Sequence, residues 1–224
     1  ASVWDIASKK LISSTDLGSS RGNSQELGWS ADGSSVIATS PNQIIAFNAT
    51  TGAIVWSELG AGRFVVNPAR TLMAIATSVG FNYQVEIRSV TDGSVQKTLE
   101  FGSSISTPLP IWNSSGSKLA VFSSVYLRQF DAQTWNELGT APANLMTLRS
   151  ANWLTDTQIL LLDTLPMATG SYRLRAVGAF TGTEISFLDE VSCINGCTVA
   201  ISDDAQSIAL SREGSGLEVW QRNP

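Results

Sequence analysis

The residue types with most chemistry available are two thiols in Ser192-Cys193-Ile194-Asn195-Gly196-Cys197-Thr198. Asn-Gly is a turn signal, and three residues across such a turn bring two α-carbons within disulfide reach. An oxidising compartment would close Cys193 to Cys197, and a reducing one would leave two half-buried thiols; both readings stand. A zinc site is a poor third, because two sulfurs without histidine leave half a tetrahedral shell empty. The chain holds no histidine at all, which excludes imidazole as base, nucleophile partner or ligand. The 19 Asp and Glu fall mostly in hairpin turns and on strand exteriors, with no pair at matching positions, so convergent carboxylates for glycoside chemistry are not expected. No catalytic, cofactor-binding or metal-ligating residue is assigned, and the expectation is a protein that is not an enzyme.

Charge narrows the partners. Fourteen Lys and Arg are spread thinly in 224 residues of net charge -5, which argues against nucleic acid or an anionic membrane surface. No run approaches eighteen apolar residues, and Ala1-Ser2-Val3-Trp4-Asp5 lacks the order of a signal peptide, so membrane insertion is not expected. Asn48-Ala49-Thr50 and Asn113-Ser114-Ser115 are glycosylation sequons that carry no weight about compartment.

The elements that must position these residues are short. Between frequent Gly and Pro breaks the apolar runs are four to eight residues, rich in Val, Ile, Leu and aromatics, as in many short strands. The segment Trp29-Ser30-Ala31-Asp32-Gly33-Ser34-Ser35-Val36 recurs from Val66, Trp112, Trp153 and Ile201, with an apolar residue seven positions on at Val36, Met73, Leu119, Leu160 and Ile208. A second column of alternating strands closed by a turn, such as Ile44 to Gly52, aligns on Trp4, Phe47, Arg88, Phe130, Val177 and Trp220, with gaps of 43, 41, 42, 47 and 43 residues. That is the period of a four-stranded blade whose copies must stack to bury both faces. The expected fold is all-β, a β-propeller of four-stranded antiparallel blades, about five of them, or a fragment of a larger propeller. The chain reads as a single domain over 1–224, with a partial blade at 1–22, blades at 23–62, 63–105, 106–146 and 147–193, and a last partial blade at 194–224.

Val3-Trp4-Asp5-Ile6 and Val219-Trp220 resemble the third strand of WD repeats, and Gly28-Trp29-Ser30-Ala31-Asp32-Gly33 resembles their first hairpin turn. Ala46 to Trp56 is also similar to quinoprotein-like repeats. The Gly-His pair of a good WD repeat is missing throughout, so these are degenerate WD-like copies without the buried His-Asp network. Ser14-Thr15-Asp16-Leu17-Gly18-Ser19-Ser20 matches most of the Asp-box of sialidase-type propellers, with Arg21 where an aromatic should stand; it reads as a loop. The resemblance implies a cytoplasmic protein, while a closed cysteine pair would fit a secreted or periplasmic one.

Trp29, Trp112 and Trp153 fall at equivalent places, where a large ring fills the wedge between blades or, on the sharper reading, rings one mouth of a channel. Extra length between second and third strands stands out at Ser78 to Tyr83 and Leu162 to Tyr172. Propellers recognise partners through such loops, which makes Phe81, Asn82, Tyr83, Leu165, Pro166, Met167 and Tyr172 the candidate partner-binding residues. The expected function is a non-enzymatic interaction or scaffold module that meets a protein or peptide, including another part of a longer chain, without a cofactor; a lectin-like propeller or a glycosidase or quinoprotein enzyme is the alternative. Ring closure would pair Lys10 to Ser14 with the strand containing Trp220, and a fragment would leave that pairing unmade.

Overall fold

Runs such as Val85-Glu86-Ile87-Arg88 alternate in polarity between Gly, Asn and Asp turns, and Leu72-Met73-Ala74-Ile75 is apolar throughout; both patterns favour extended backbone. The computed structural model describes residues 1–17, 26–39, 43–59, 63–103, 107–123, 125–143, 148–164, 171–192, 197–202, 206–212 and 216–221. Among the described residues there are strands and turns and no helix.

The strands form antiparallel sheets in chain order. Sheet one pairs β1 (Ser2–Asp5) with β2 (Lys10–Ser14). Sheet two runs β3 (Leu27–Trp29), β4 (Ser35–Thr39), β5 (Gln43–Asn48), β6 (Ile54–Leu59), and sheet three β7 (Phe64–Val66), β8 (Leu72–Val79), β9 (Asn82–Ser89), β10 (Val95–Ser103). Sheet four holds β11 (Leu109–Trp112), β12 (Lys118–Phe122), β13 (Tyr126–Asp131) and β14 (Glu137–Pro142). Sheet five holds β15 (Leu148–Thr155), β16 (Gln158–Thr164), β17 (Ser171–Gly178) and β18 (Glu184–Ser192). Sheet six is three-stranded: β19 (Cys197–Ile201), β20 (Ser207–Arg212), β21 (Gly216–Gln221). Each four-stranded sheet is a meander with first strand at one edge and fourth at the other, the blade of a β-propeller. Contacts divide the chain into two compact units, Ala1–Pro110 and Ile111–Pro224.

The two columns of the repeat are cross-strand partners. Val36 lies opposite Phe47, Met73 opposite Arg88, Leu119 opposite Phe130 and Ile208 opposite Trp220. In sheet five Val177 faces Ile159 rather than Leu160. The turn from Thr155 to Gln158 is tighter than its counterparts, since Gln158 already pairs with Thr155, so counting seven from Trp153 overshoots by one and would flip the side chain to the other face.

Neighbouring sheets explain why the middle of each second strand is apolar on both faces, as in Val36-Ile37-Ala38, Leu119-Ala120-Val121 and Ile159-Leu160-Leu161-Leu162. In the first unit Val36 and Ala38 of β4 join Val3, Leu17, Ile45 and Phe47 in one buried cluster, whereas Ile37 joins Ile44, Ala46, Phe64, Met73 and Ile75 in another. Both faces of β4 are covered, and all five of its residues are buried. In the second unit Leu160, Leu162, Tyr172 and Leu174 pack with Val199 and Leu210 of sheet six. Burying a side chain of the size of Phe47 or Ile37, both fully buried, is worth about 1.5–3 kcal/mol. Fourth strands, by contrast, are largely exposed, as β6 shows.

Lys10–Ser14 takes β1 as its partner, with Trp4 opposite Leu11. Trp4 thus belongs to a strand pair of its own, which Ser13 Oγ ties to the second sheet by donating to the Ala49 carbonyl at 2.6 Å.

Candidate functional site

A meander has two ends. One carries the turns from first to second and from third to fourth strands, and the other the connections from second to third. The turn end is built from one device, repeated. The side-chain oxygens of Ser30, Asn67, Asn113 and Ser202 accept the N–H of Ser35, Leu72, Lys118 and Ser207 at 2.9, 3.0, 2.8 and 2.9 Å. Their own N–H groups donate to the carbonyls of those same residues at 3.0, 2.8, 3.1 and 3.0 Å. In the other turn the N–H of Gly52, Gly93, Trp135 and Gly182 donates four residues back, to the carbonyls of Asn48, Ser89, Asp131 and Gly178, at 2.9, 3.0, 2.8 and 2.8 Å. Polar groups here are spent on the backbone. Asp32 shows the cost to a ligand: hydrogen bonds from the Ser30 hydroxyl and from Ser34 hold its carboxyl down at about 2. The two sequon asparagines serve the same purpose. Asn113 is buried and its Nδ2 donates to Asp156 Oδ1 at 2.8 Å, and Asn48 Oδ1 accepts the N–H of Thr50 and of Thr51 at 2.9 Å each.

The loop end differs from blade to blade. In sheet three the extra residues Ser78 to Tyr83 are not slack loop: β8 and β9 run on to pair Ser78 with Tyr83 and Val79 with Asn82. The two-residue turn between them has Gly80 first, with φ of +62°, as a type II′ hairpin demands. β10 follows, with Gly102 opposite Tyr83 and Ser103 opposite Asn82. A three-stranded tongue results, with Phe81 at its tip 92% exposed and Val79 64% exposed; Asn82 is exposed and Tyr83 half-buried. In sheet four Val125 and Tyr126 are exposed at the corresponding connection. Tyr172, grouped with the loop residues by its place in the sequence, lies inside β17 and is buried against Leu160, Leu162 and Leu174. Leu165, Pro166 and Met167 lie outside the described residues, as does Cys193. Cys197 opens β19, and nothing is described of its side chain.

The three tryptophans have three different fates. Trp153 is buried and donates its Nε1 to the Ile111 carbonyl at 3.2 Å, filling the wedge between adjacent sheets. Trp112 is half-buried and meets Trp135 edge to face at 6.1 Å. Trp29 is 42% exposed. Equivalent sequence positions therefore do not amount to an aromatic ring.

Charge at the loop end was not foreseen from the sequence. In sheet five the buried Asp163 carboxylate accepts from Arg175 Nη2 at 2.7 Å and Arg173 Nη2 at 3.3 Å, and both guanidinium groups also approach Glu184 at 3.7 Å. The signal was available: an Asp closing the apolar run Ile159-Leu160-Leu161-Leu162, and two Arg at i and i+2 on the partner strand. In the first unit Glu26 accepts the Phe64 N–H, and burial pushes its carboxyl above the usual range, against the Phe64 hydrogen bond and the nearby Arg63.

No protein-family model and no curated protein matches the chain. Solved structures do. The WD40 domain of Toxoplasma gondii coronin matches with a TM-score of 0.66 at 12% identity, over 87% of this chain and 54% of that one. TolB from Acinetobacter baumannii matches with 0.63 at 16% identity, over 92% and 53%, and Kuenenia stuttgartiensis hydrazine synthase with 0.65 at 11% identity, over 88% and 62%. The chain thus spans 53–62% of the length of these three structures. At these identities the likeness is one of fold, and the fold it establishes is the β-propeller, built here from degenerate WD-like repeats.

Proposed function

We propose that the chain is a non-enzymatic interaction module that presents the loop end of its blades to a protein or peptide. The observation that carries this reading is the difference between the two ends. At the turn end of sheets two, three, four and six a Ser or Asn closes on the backbone in one pattern, with Trp29, Ile54 and Phe180 exposed at that end, whereas at the loop end Phe81, Val79, Val125 and Tyr126 stand exposed on connections that differ from blade to blade. Exposed aromatic and apolar side chains on a fixed frame are what protein interfaces are made of. The test is a photo-reactive residue placed at 81 or 126, against the same group at 33 or 116, in extract from the native source. Discrete cross-linked partners at 81 and 126 alone are expected. Equal labelling at all four positions would overturn the reading.

A second reading, compatible with the first, is that the chain is one piece of a larger propeller. What supports it is the strand count among the described residues, two strands in sheet one and three in sheet six against four in each of the others, together with the fraction of the matched structures that is spanned. Sedimentation velocity tests it. Association through open sheet edges is the expected behaviour of the isolated chain, and a monomer at all concentrations would count against it.

A further inference from the structure

Sheet one has two strands where a blade has four, and three marks identify which two they are. Trp4 stands in the column of Phe47, Arg88, Phe130 and Val177, which lie on the third strands of sheets two to five. In each of those sheets the pairing of third with fourth strand passes over one residue at that row, Val55, Gln96, Leu138 and Ile185, and β1–β2 passes over Ile12 between Val3–Ser13 and Trp4–Leu11. The turn that follows has a left-handed residue four places after Asp5, Lys9 with φ of +56°, just as Gly52, Gly93, Trp135 and Gly182 stand four places after Asn48, Ser89, Asp131 and Gly178. β1 and β2 are therefore a third and a fourth strand, and β1 has an edge along which a complete blade carries its second strand, with Val36 opposite Phe47 and Leu119 opposite Phe130.

Both faces beside that edge bear exposed apolar side chains whose counterparts are buried. Phe47 and Phe130 are buried, whereas Trp4 is 59% exposed. Leu27, opposite Ala38, holds in sheet two the place that Phe64, opposite Ile75, holds in sheet three. Phe64 is buried in one cluster with Ile37 of the second strand before it, and Leu27 is 65% exposed. Val3 faces sheet two, so alternation turns Trp4 to the other face, and one added strand would reach over both. From this we infer that the outer edge of β1 takes up the second strand of a partner hairpin, paired antiparallel, with an aliphatic residue opposite Trp4 and another opposite Val3 that comes over Leu27 as Ile37 comes over Phe64. Edge addition supplies main-chain hydrogen bonds, and the alternate side chains select the partner. The inference rests on the larger-propeller reading and names the piece that comes next. A second copy of this chain is a poor donor, because β3–β4, β7–β8, β11–β12, β15–β16 and β19–β20 are each paired with a third strand of their own. The occupant is accordingly a hairpin of the same pattern from a segment outside these 224 residues.

The test uses the full chain, isotope-labelled and dilute enough to be monomeric, with a peptide that has the sequence of residues 64–76, a first-and-second-strand hairpin without tryptophan, and a two-lysine tail. A scrambled peptide with the same tail is the control. Saturable shifts are expected in the amides of Val3, Trp4 and Asp5 and in the Trp4 indole N–H, with hydrogen exchange of at least one β1 amide slowed about tenfold or more. Trp4→Asp, which sets a carboxylate against the aliphatic residue, is expected to weaken binding about tenfold or more. Leu27→Ser, on the other face, is expected to weaken it severalfold and serves in its place if Trp4→Asp alters the melting. No saturable shift at β1 overturns the inference, as do shifts centred on β21, equal binding of the scrambled peptide, or binding unchanged in both variants. The same protection of β1 arising without peptide as the chain is concentrated also overturns it, since the occupant is then a second copy. A chain that self-associates in sedimentation but ignores the peptide keeps the larger-propeller reading and loses this one, so the two failures are told apart.

Discussion

The Asp32 carboxylate accepts the Ser30 hydroxyl at 2.7 Å and both the N–H and the hydroxyl of Ser34 at 3.0 and 2.8 Å. These bonds favour the ionised form, so its pKa falls from 3.8 to about 2. A carboxyl depressed on folding contributes stability that is present above its unfolded pKa and lost as pH falls through the folded one, here between roughly pH 4 and 2. Asp92 and Asp131, depressed by bonds from Ser94 and Thr134 in their own turns, add to the same loss. Glu26 works the other way: its raised pKa contributes stability below the unfolded value, lost as pH rises through the folded one. Asp32→Asn is accordingly expected to melt lower than the parent at pH 7, with the gap narrowing between about pH 4 and 2 and closing only below about pH 2, as measured by thermal circular dichroism across that range. A gap that persists in acid would mean that shape and not charge governs the turn. This much was half legible in the sequence. Asp32-Gly33 announces a turn, but nothing in the spacing says that the carboxylate closes on Ser30 and Ser34 rather than facing a ligand.

Turns are also where the repeated elements depart from their own rule. The first turn places a residue with positive φ at Gly33, Arg70 and Gly116, with φ of 69°, 57° and 71°. Arg70 lacks a glycine's freedom there, and a non-glycine residue in the left-handed region costs about 1 kcal/mol or more. Arg70→Gly is expected to raise the urea midpoint, with a gain of about 0.5–1 kcal/mol after the added freedom of the unfolded chain is deducted. In the other turn Trp135, with φ of 58°, stands where Gly52, Gly93 and Gly182 stand elsewhere. Its ring packs on Trp112, a contact worth about 0.5–1.5 kcal/mol, so Trp135→Gly should come out near neutral. A gain as large as that of Arg70→Gly would show the ring contact to be idle. The blade itself was legible because its signals are local: a period, a turn and an apolar second strand. The tongue under Phe81 reads as a loop in the sequence because Gly80 marks a turn without revealing how far β8, β9 and β10 continue to pair. The Asp163 cluster escaped because its members come from three strands, and only the register brings them together.

At the scale of the molecule, the strand pair β1–β2 covers one face of sheet two through Val3, and Ser13 and Thr15 donate to the carbonyls of Ala49 and Gly52 at 2.6 and 2.7 Å. Removing residues 1–16 uncovers Phe47 and Val36, both buried in the full chain. A loss of about 3 kcal/mol or more is expected from the apolar area alone, with aggregation that sedimentation velocity would report. Unchanged melting would mean that the pair does not cover that face. On sequence alone the same stretch reads as a seam with the strand of Trp220. The structure traces the effect to packing within the first unit, which a one-dimensional count of strands cannot distinguish.

The apolar second strands have a further consequence, for the path to the native state. β4 and β12 are alike in length and almost wholly buried, and each follows a turn closed by the same cap. To an unfolded chain such segments are nearly interchangeable, so a first strand can close on the second strand of the wrong repeat and still satisfy its local bonds. Errors of that kind tell only later, when volumes fail to match between neighbouring sheets, and in the meantime largely apolar strands lie open to other molecules. Refolding yield should therefore depend on chain concentration, and the residues that break the repeat, Arg70, Trp135 and the tight turn before Gln158, double as addresses that tell one copy from the next.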